Sequence, residues 1–342
     1  MGSMADPSKG PAVRTMIQGS PTIARNLLLS CVGDWGQANW HKIMAWITQE
    51  FCERCGPESR TCIWSVRGGG MDSMTMVHSG EAQIAITTPA AILATALKGT
   101  GFFTGQPPMP GLRGLAVIPQ NDRLVLGLDP SLGCKTFADI REKKPKMKIA
   151  MGPDTGDSQI GYLAHRYLEA HGVPVKDILA WGGEVVFGNR PEECLLPCHD
   201  LAQGFTAVLQ EALTTPWWGD LVDGPRKFIP IPGEPEALNN MAETGLSPRP
   251  LPAGWWKNQA EELPAIDFSD FIVFCREDLP EDMAYLLAWI MSETKIVLER
   301  QFHSFPGDRS PVGWPMDPRK MSKTTIPLHP GAERFYSEKG YL

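Results

Sequence analysis

Apolar and polar positions alternate along the chain in blocks. Residues 26–33, NLLLSCVG, form a short apolar run ending in glycine, the pattern of a buried strand. Trp40, Ile43, Met44, Ile47 and Phe51 then recur at helical spacing, which predicts an amphipathic helix over 37–53. The strand TCIWSV, a glycine triplet, a short helix from Met71 to His78, the strand QIAIT and the helix PAAILATAL follow. Such alternation predicts a parallel sheet covered by helices. On the same reading Trp40 packs on its helix's apolar face and Trp64 points from its strand into a core.

After a loop at 99–112 the pattern restarts: strand RLVLGLD, helix TFADIREK, strand KMKIAMG, the loop GPDTGDS, then a helix with Ile160, Leu163, Ala164, Tyr167 and Leu168 on its inner face. A second α/β lobe is therefore expected. Between about 184 and 265 the chain is richer in Pro, Gly and Trp, with short elements such as KFIPIP and the helix EPEALNNMAETG. From DFSDFIVFCRED onward it is regular again, with one long helix predicted from Pro280 to about Gln301.

Each lobe thus owns a Gly-rich strand-to-helix turn, and ligand sites of parallel sheets form at the carboxyl ends of strands. Gly68, Gly69 and Gly70 in a row let the backbone approach a ligand closely, and the helix N-terminus behind them attracts anions. Backbone N–H groups there, with the Ser73 hydroxyl and the Arg67 charge, suit a carboxylate. Asp72 would repel a bound anion and is expected to point away or to be protonated. In the second lobe Asp157 or Ser158 reads as the N-cap of the 158–171 helix, a role that orders the same N–H groups that would bind.

Composition narrows the function. The 342 residues, 42% hydrophobic and 21% charged, are enough for two lobes of an ordinary folded protein. A formal charge of −7, with no long basic stripe, argues against a nucleic-acid surface. No apolar run has the length of a membrane span or the form of a signal peptide, and MGS reads as a cloning scar ahead of Met4. Eight cysteines in so long a chain fit a reducing compartment, so the cytoplasm is the favoured address unless a leader was removed. The spacings Cys52-x-x-Cys55 with Cys62, and Cys194-x-x-x-Cys198-His199, are ones that zinc ligands use. The two groups fall in different lobes, however, where a shared ion would lock them together, so free thiols and no metal are expected. No hydride-cofactor fingerprint, phosphate loop or nucleophile–base pair is present, and no cofactor is expected. His41, near Asp34, is the candidate general base. Among the tryptophans at 35, 40, 64, 181, 217, 218, 255 and 256, which could line an aromatic pocket, Trp35, in the first candidate loop, is the one expected to do so.

The order of strand and Gly-rich turn, the stretches VHSGEAQIAIT and KIAMGPDTGDSQIGYLAHRYLEAHGV, and above all the ending IPLHPGAERFYSEKGYL resemble the TAXI family of solute receptors of TRAP transporters. The resemblance spans about Asn26 to Leu342. It implies an α/β fold: the two-lobe periplasmic-binding-protein type II clamp, with a ligand cleft between the lobes. The lobes would be 26–125 plus 270–342 and 126–269, after a flexible segment 1–25, with crossings near 115–130 and 265–275. Carried over, the ligand loops are Gly33 to Asn39, including Asp34 and Trp35; Gly68 to Ser73; Thr87 and Thr88; and Gly152 to Gln159, including Thr155, Asp157 and Ser158. The chain departs from the family at GDWGQANWH, at Gly156-Asp157-Ser158-Gln159, and at Gln83, which stands where the family has an acid. The resemblance implies capture of a small organic carboxylate, with TRAP-type membrane subunits as partners if the chain is exported. The altered loops keep open a second function, a cytosolic enzyme that decarboxylates, isomerises or cyclises a carboxylate metabolite. His329, in the HPGA stretch, is expected to hydrogen-bond at the turn before the last helix.

Overall fold

The computed structural model describes residues 19–33, 39–66 and 70–342. The first part of the chain runs β1 (Leu28–Gly33), α1 (Asn39–Cys52), β2 (Arg60–Ser65), α2 (Gly70–Ser79), β3 (Ile84–Thr87), α3 (Leu93–Lys98) and β4 (Leu112–Ile118). The second part runs β5 (Arg123–Leu128), α4 (Phe137–Lys143), β6 (Lys148–Met151), α5 (Gln159–Ala170), α6 (Val175–Ala180), β7 (Glu184–Phe187), α7 (Pro191–His199) and β8 (Ala207–Gln210). It continues through α8 (Pro216–Asp223), β9 (Ile229–Ile231), α9 (Pro235–Asn240) and β10 (Ile266–Asp267). The chain ends with β11 (Phe271–Arg276), α10 (Glu281–Glu293), α11 (Ile296–Glu299), α12 (Pro318–Met321) and α13 (Pro330–Glu338).

These strands build two sheets. The first has the order β2-β1-β3-β11-β4; β1 is parallel to β2 and β3, and β11 is antiparallel to both its neighbours. The second has the order β10-β5-β8-β6-β7, with β9 on β5. In it β6 is parallel to β8 and β7, so their carboxyl ends share one edge. The chain passes between the sheets twice, at 119–122 and at 268–270. This is the two-lobe α/β fold expected from the sequence.

Burial explains the layers. Leu29 and Cys31 of β1 pack on Ile43, Met44, Ile47 and Phe51 of α1, together with Leu286, Leu287 and Ile290 of α10 and Phe335 of α13. A second cluster runs through both lobes, from Val32, Met74 and Ile272 to Leu126, Ile149 and Leu209. Apolar continuity therefore joins the lobes behind their strand ends. Trp218, Trp255 and Trp256 lie in a third cluster with Phe205 and Phe228, so these three rings are core and do not line a pocket.

Several expectations change. Trp64 is 50% exposed rather than inward, because β2 is an edge strand; its Nε1 donates to Ser30 Oγ at 2.8 Å. The long helix from Pro280 ends at Glu293. There the Thr294 hydroxyl bonds back to the Ile290 carbonyl at 2.8 Å and accepts from Trp46 Nε1 at 3.0 Å, which competes with helix continuation. A 3-10 turn, Ala90–Ile92, opens the segment expected as one helix at PAAILATAL. The stretch from 184 to 265 holds β7, β8 and β9, of which β8 is fully buried at the centre of the second sheet. Trp40 is buried on the apolar face of α1 as expected. His329 caps α13, its Nδ1 accepting from Gly331 N at 3.1 Å.

Candidate functional site

The two lobes meet where α2 and α5 begin. Gly70 is the first residue of α2 and Gln159 the first of α5. A Cβ built on Gly70 would stand 2.0 Å from Gln159 Oε1 and 2.9 Å from Thr87 Oγ1, so only the missing side chain allows this approach. Gln159 Nε2 crosses to lobe one and donates to the Thr88 carbonyl at 2.7 Å. Nearby, the rings of Phe102 and Tyr162 pack with centroids 5.4 Å apart, again linking the lobes. On another side Arg309 donates to the carbonyls of Trp255 and Gly254 at 2.8 and 2.7 Å.

Local sequence fixes each half. In lobe two, Ser158 caps α5 by accepting from Gly161 N at 3.2 Å. The 152–158 loop lies hard against the first turn of that helix: a Cβ on Gly161 would fall 1.7 Å from the Pro153 oxygen, and one on Gly152 2.7 Å from Gly161 N. Thr155 and Asp157 are exposed and bonded to each other through hydroxyl and carboxylate. In lobe one, Ser73 is buried and Thr87 closes β3. Thr88 donates to the Asp270 carbonyl at 3.1 Å and accepts from Gln120 Nε2 at 3.1 Å.

Two oxygens at this junction are buried without a hydrogen-bond partner, Thr87 Oγ1 and Gln159 Oε1. Native interiors rarely leave such atoms unpaired, and each one needs an explanation such as a ligand or an ordered water. The junction also carries the amino ends of two helices of 10 and 12 residues, each worth roughly half a positive charge. Two such ends meeting at one place favour an anion beside them.

Of the remaining predicted residues, Gly33 ends β1, and a Cβ there would meet Ile63 Cγ2 at 2.9 Å. His41 Nδ1 is buried nearby without a partner. Asn39 turns toward the Pro311 carbonyl at a long 3.5 Å. Asp34, Trp35, Arg67 and Gly69 lie outside the described residues. Gln83 does not act at the junction: its amide accepts from Ser30 N and donates to the Leu28 carbonyl, a two-way clip that an acid could not make when ionised.

Other polar groups at the crossings carry no sequence motif. Gln120 bonds through its side chain to Thr88, to the Phe268 carbonyl and to Asp122 N, tying both crossings together. Asp122 accepts from Thr214 N at 2.9 Å and Thr214 Oγ1 at 3.0 Å, and burial still pushes its carboxyl up to about 6. Glu211, one residue beyond β8, has a buried Oε2 without a partner; burial, then the Asp122 charge, pushes it up to about 8. Asp270 is likewise raised by burial to about 6.

Among the described residues no group of three His, Cys, Asp or Glu could hold a metal ion. All eight cysteines are free, and burial pushes Cys194 and Cys198 up to about 12, leaving them as thiols. A groove of about 350 Å³ on lobe two, lined by Arg166, Glu169, Ala170, Asn240, Met241 and Glu243, lies away from the strand ends. Its Arg166 is already paired with Glu169 at 2.8 Å, so the junction, with its unpaired oxygens, is the stronger candidate. No helix among the described residues is long and apolar enough to cross a membrane.

Residues 219–340 match the model of the NMT1-like family, a stretch that includes all but the last two residues of the ending on which the TAXI resemblance chiefly rests. Solved structures with a similar chain course include XAC2383 from Xanthomonas citri bound to ATP, at 9% identity and TM-score 0.49, covering 91% of this chain and 98% of that one. Rpa4515 of R. palustris with adipate is 15% identical, TM-score 0.45, covering 92% and 97%. A TRAP periplasmic solute-binding protein from Rhodobacter sphaeroides is 12% identical, TM-score 0.39, covering 81% and 80%. Over 219–340 the chain is similar to the NMT1-like family, and the order of strands in its two sheets gives the two-lobe α/β fold that the TAXI resemblance implies.

Proposed function

We propose that this chain captures a small organic carboxylate at the junction of its two lobes, taken as 26–125 with 270–342 and 126–269. One observation carries the reading: the amino ends of α2 and α5, from different lobes, face each other at Gly70 and Gln159 around two buried, unpaired oxygens. An anion there touches both lobes at once, so its binding energy favours the closed arrangement over the open one. The carboxylate would accept from the first-turn N–H groups of both helices, with Ser73, Thr87, Thr88 and Ser158 ordering the walls. From the sequence alone, Arg67, Trp35 and Asp34 are proposed as further ligand contacts.

The reading carries a partner and an address. An exported chain would deliver its solute to TRAP-type membrane subunits, whereas in the cytoplasm, where eight free thiols fit, it would hold or convert a metabolite. A catalytic reading draws on Glu211, whose buried, raised carboxyl could hold a proton for transfer at neutral pH. Titration calorimetry with a panel of mono- and dicarboxylates tests binding, and proton spectra of the same mixtures followed over hours separate capture from turnover. Binding without new signals supports a receptor; new signals support the enzyme; no binding by any carboxylate removes the proposal.

A further inference from the structure

We infer that the captured carboxylate bears a neutral hydroxyl donor beside its anionic group, and that Gln159 and Thr87 are the residues that read it. This deepens the carboxylate reading and rests on it. Gln159 is 5% exposed and Thr87 fully buried, yet Gln159 Oε1 and Thr87 Oγ1 have no hydrogen-bond partner. Both lie close to one point, the place a Cβ of Gly70 would take, at 2.0 and 2.9 Å, so the two oxygens are within about 5 Å of each other. A single hydroxyl oxygen, at about 2.7 Å from each, can bond to both.

The direction of these bonds follows from the neighbours. Gln159 Nε2 is committed to the Thr88 carbonyl, so Oε1 is the end of the amide left at the junction and it can only accept. Thr87 can donate or accept. A solute O–H that donates to Gln159 and accepts from Thr87 therefore satisfies both atoms. An ammonium would be a poorer fit, because it would lie at the positive ends of α2 and α5. The first turn of α5 has no acid, Asp72 in the first turn of α2 already has a partner, and Asp157 is exposed and bonded to Thr155. A plain carboxylate can accept from the Thr87 hydroxyl but leaves Gln159 Oε1 unpaired, at the cost that a buried polar atom carries.

The test is titration calorimetry of the full chain with two matched sets, lactate, propionate and alanine, and 2-hydroxyglutarate, glutarate and glutamate. In at least one set the hydroxy acid is expected to bind about tenfold tighter or more than its unsubstituted partner, with the amino acid no tighter than that partner. Gln159→Leu and, separately, Thr87→Val are expected to bring the hydroxy-to-unsubstituted ratio close to one, with thermal melts confirming that each variant is folded. Equal binding of hydroxy and unsubstituted acids by the wild type overturns the inference while leaving carboxylate capture standing. Tightest binding by the amino acid also overturns it. If none of the six binds, carboxylate capture fails and the inference fails with it.

Discussion

Replacing Gly70 by alanine separates binding from stability. Gly70 is not in the left-handed region, so alanine fits its backbone; the sharpest conflict is with Gln159 of the opposite lobe, and Thr87 Oγ1 of its own lobe, at 2.9 Å, must give slightly. The new Cβ would lie 2.0 Å from Gln159 Oε1 and 3.2 Å from its Cδ, well inside contact distance. The Gln159 side chain must swing away, which breaks its 2.7 Å bond to the Thr88 carbonyl. Losing one such bond costs about 1 kcal/mol, and about 1–3 if the carbonyl stays buried and unpaired. Alanine at a helix position returns up to about 1 kcal/mol over glycine, so overall stability changes little, by about 3 °C or less in midpoint. The loss falls on the closed form, and solute affinity should drop roughly tenfold to a hundredfold. Calorimetry on the best-binding carboxylate reads the affinity and a thermal melt reads the fold. An unchanged affinity in a variant with an unchanged melt would refute the argument that Gly70 and Gln159 meet in the bound state.

Three further outcomes are expected. Glu211 titrates in the folded chain at about 8, above its ordinary 4.5, so the fold holds an extra proton between those values and stability falls as pH rises from about 5 to 8. Glu211→Gln should flatten that slope and gain on the order of 3 kcal/mol at pH 8 in urea unfolding; an unaltered slope would count against the buried carboxyl. Trp218→Ala empties a fully buried site packed on Phe228 and removes the Nε1 bond to the Glu211 carbonyl at 2.6 Å, costing about 3–5 kcal/mol by the same assay. His329→Ala should cost about 1 kcal/mol at pH 7.5, because the neutral imidazole caps α13. Burial lowers the His329 value in the fold, so this contribution is present above about pH 6.5 and is lost on acidification; a pH-independent cost would contradict the cap.

The parts of this fold that the sequence displays are those with clean periodicity. The apolar stripe of α1 and the full burial of β3 and β5 leave little freedom of interpretation. Four-residue strands such as β8 give too few positions to show a period, and a neighbouring proline-rich segment hid them. Trp64 was misread because strand composition does not reveal which strand lies at an edge. Gln159 was visible as a departure from the family's turn, but its reach across to Thr88 depends on how the lobes dock. Asp122 and Glu211 had no motif at all. Their character comes from burial by segments about 90 residues apart in sequence, which no local pattern records.

The anion proposed between the amino ends of α2 and α5 has a direct physical signature. It is tested most directly by proton NMR of a carboxylate panel mixed with near-stoichiometric protein, wild type beside Gly70→Val. The signals of at least one carboxylate are expected to broaden or shift with the wild type and to stay sharp with the folded variant. Sharp signals for every carboxylate with the wild type, or equal broadening with both proteins, would contradict it.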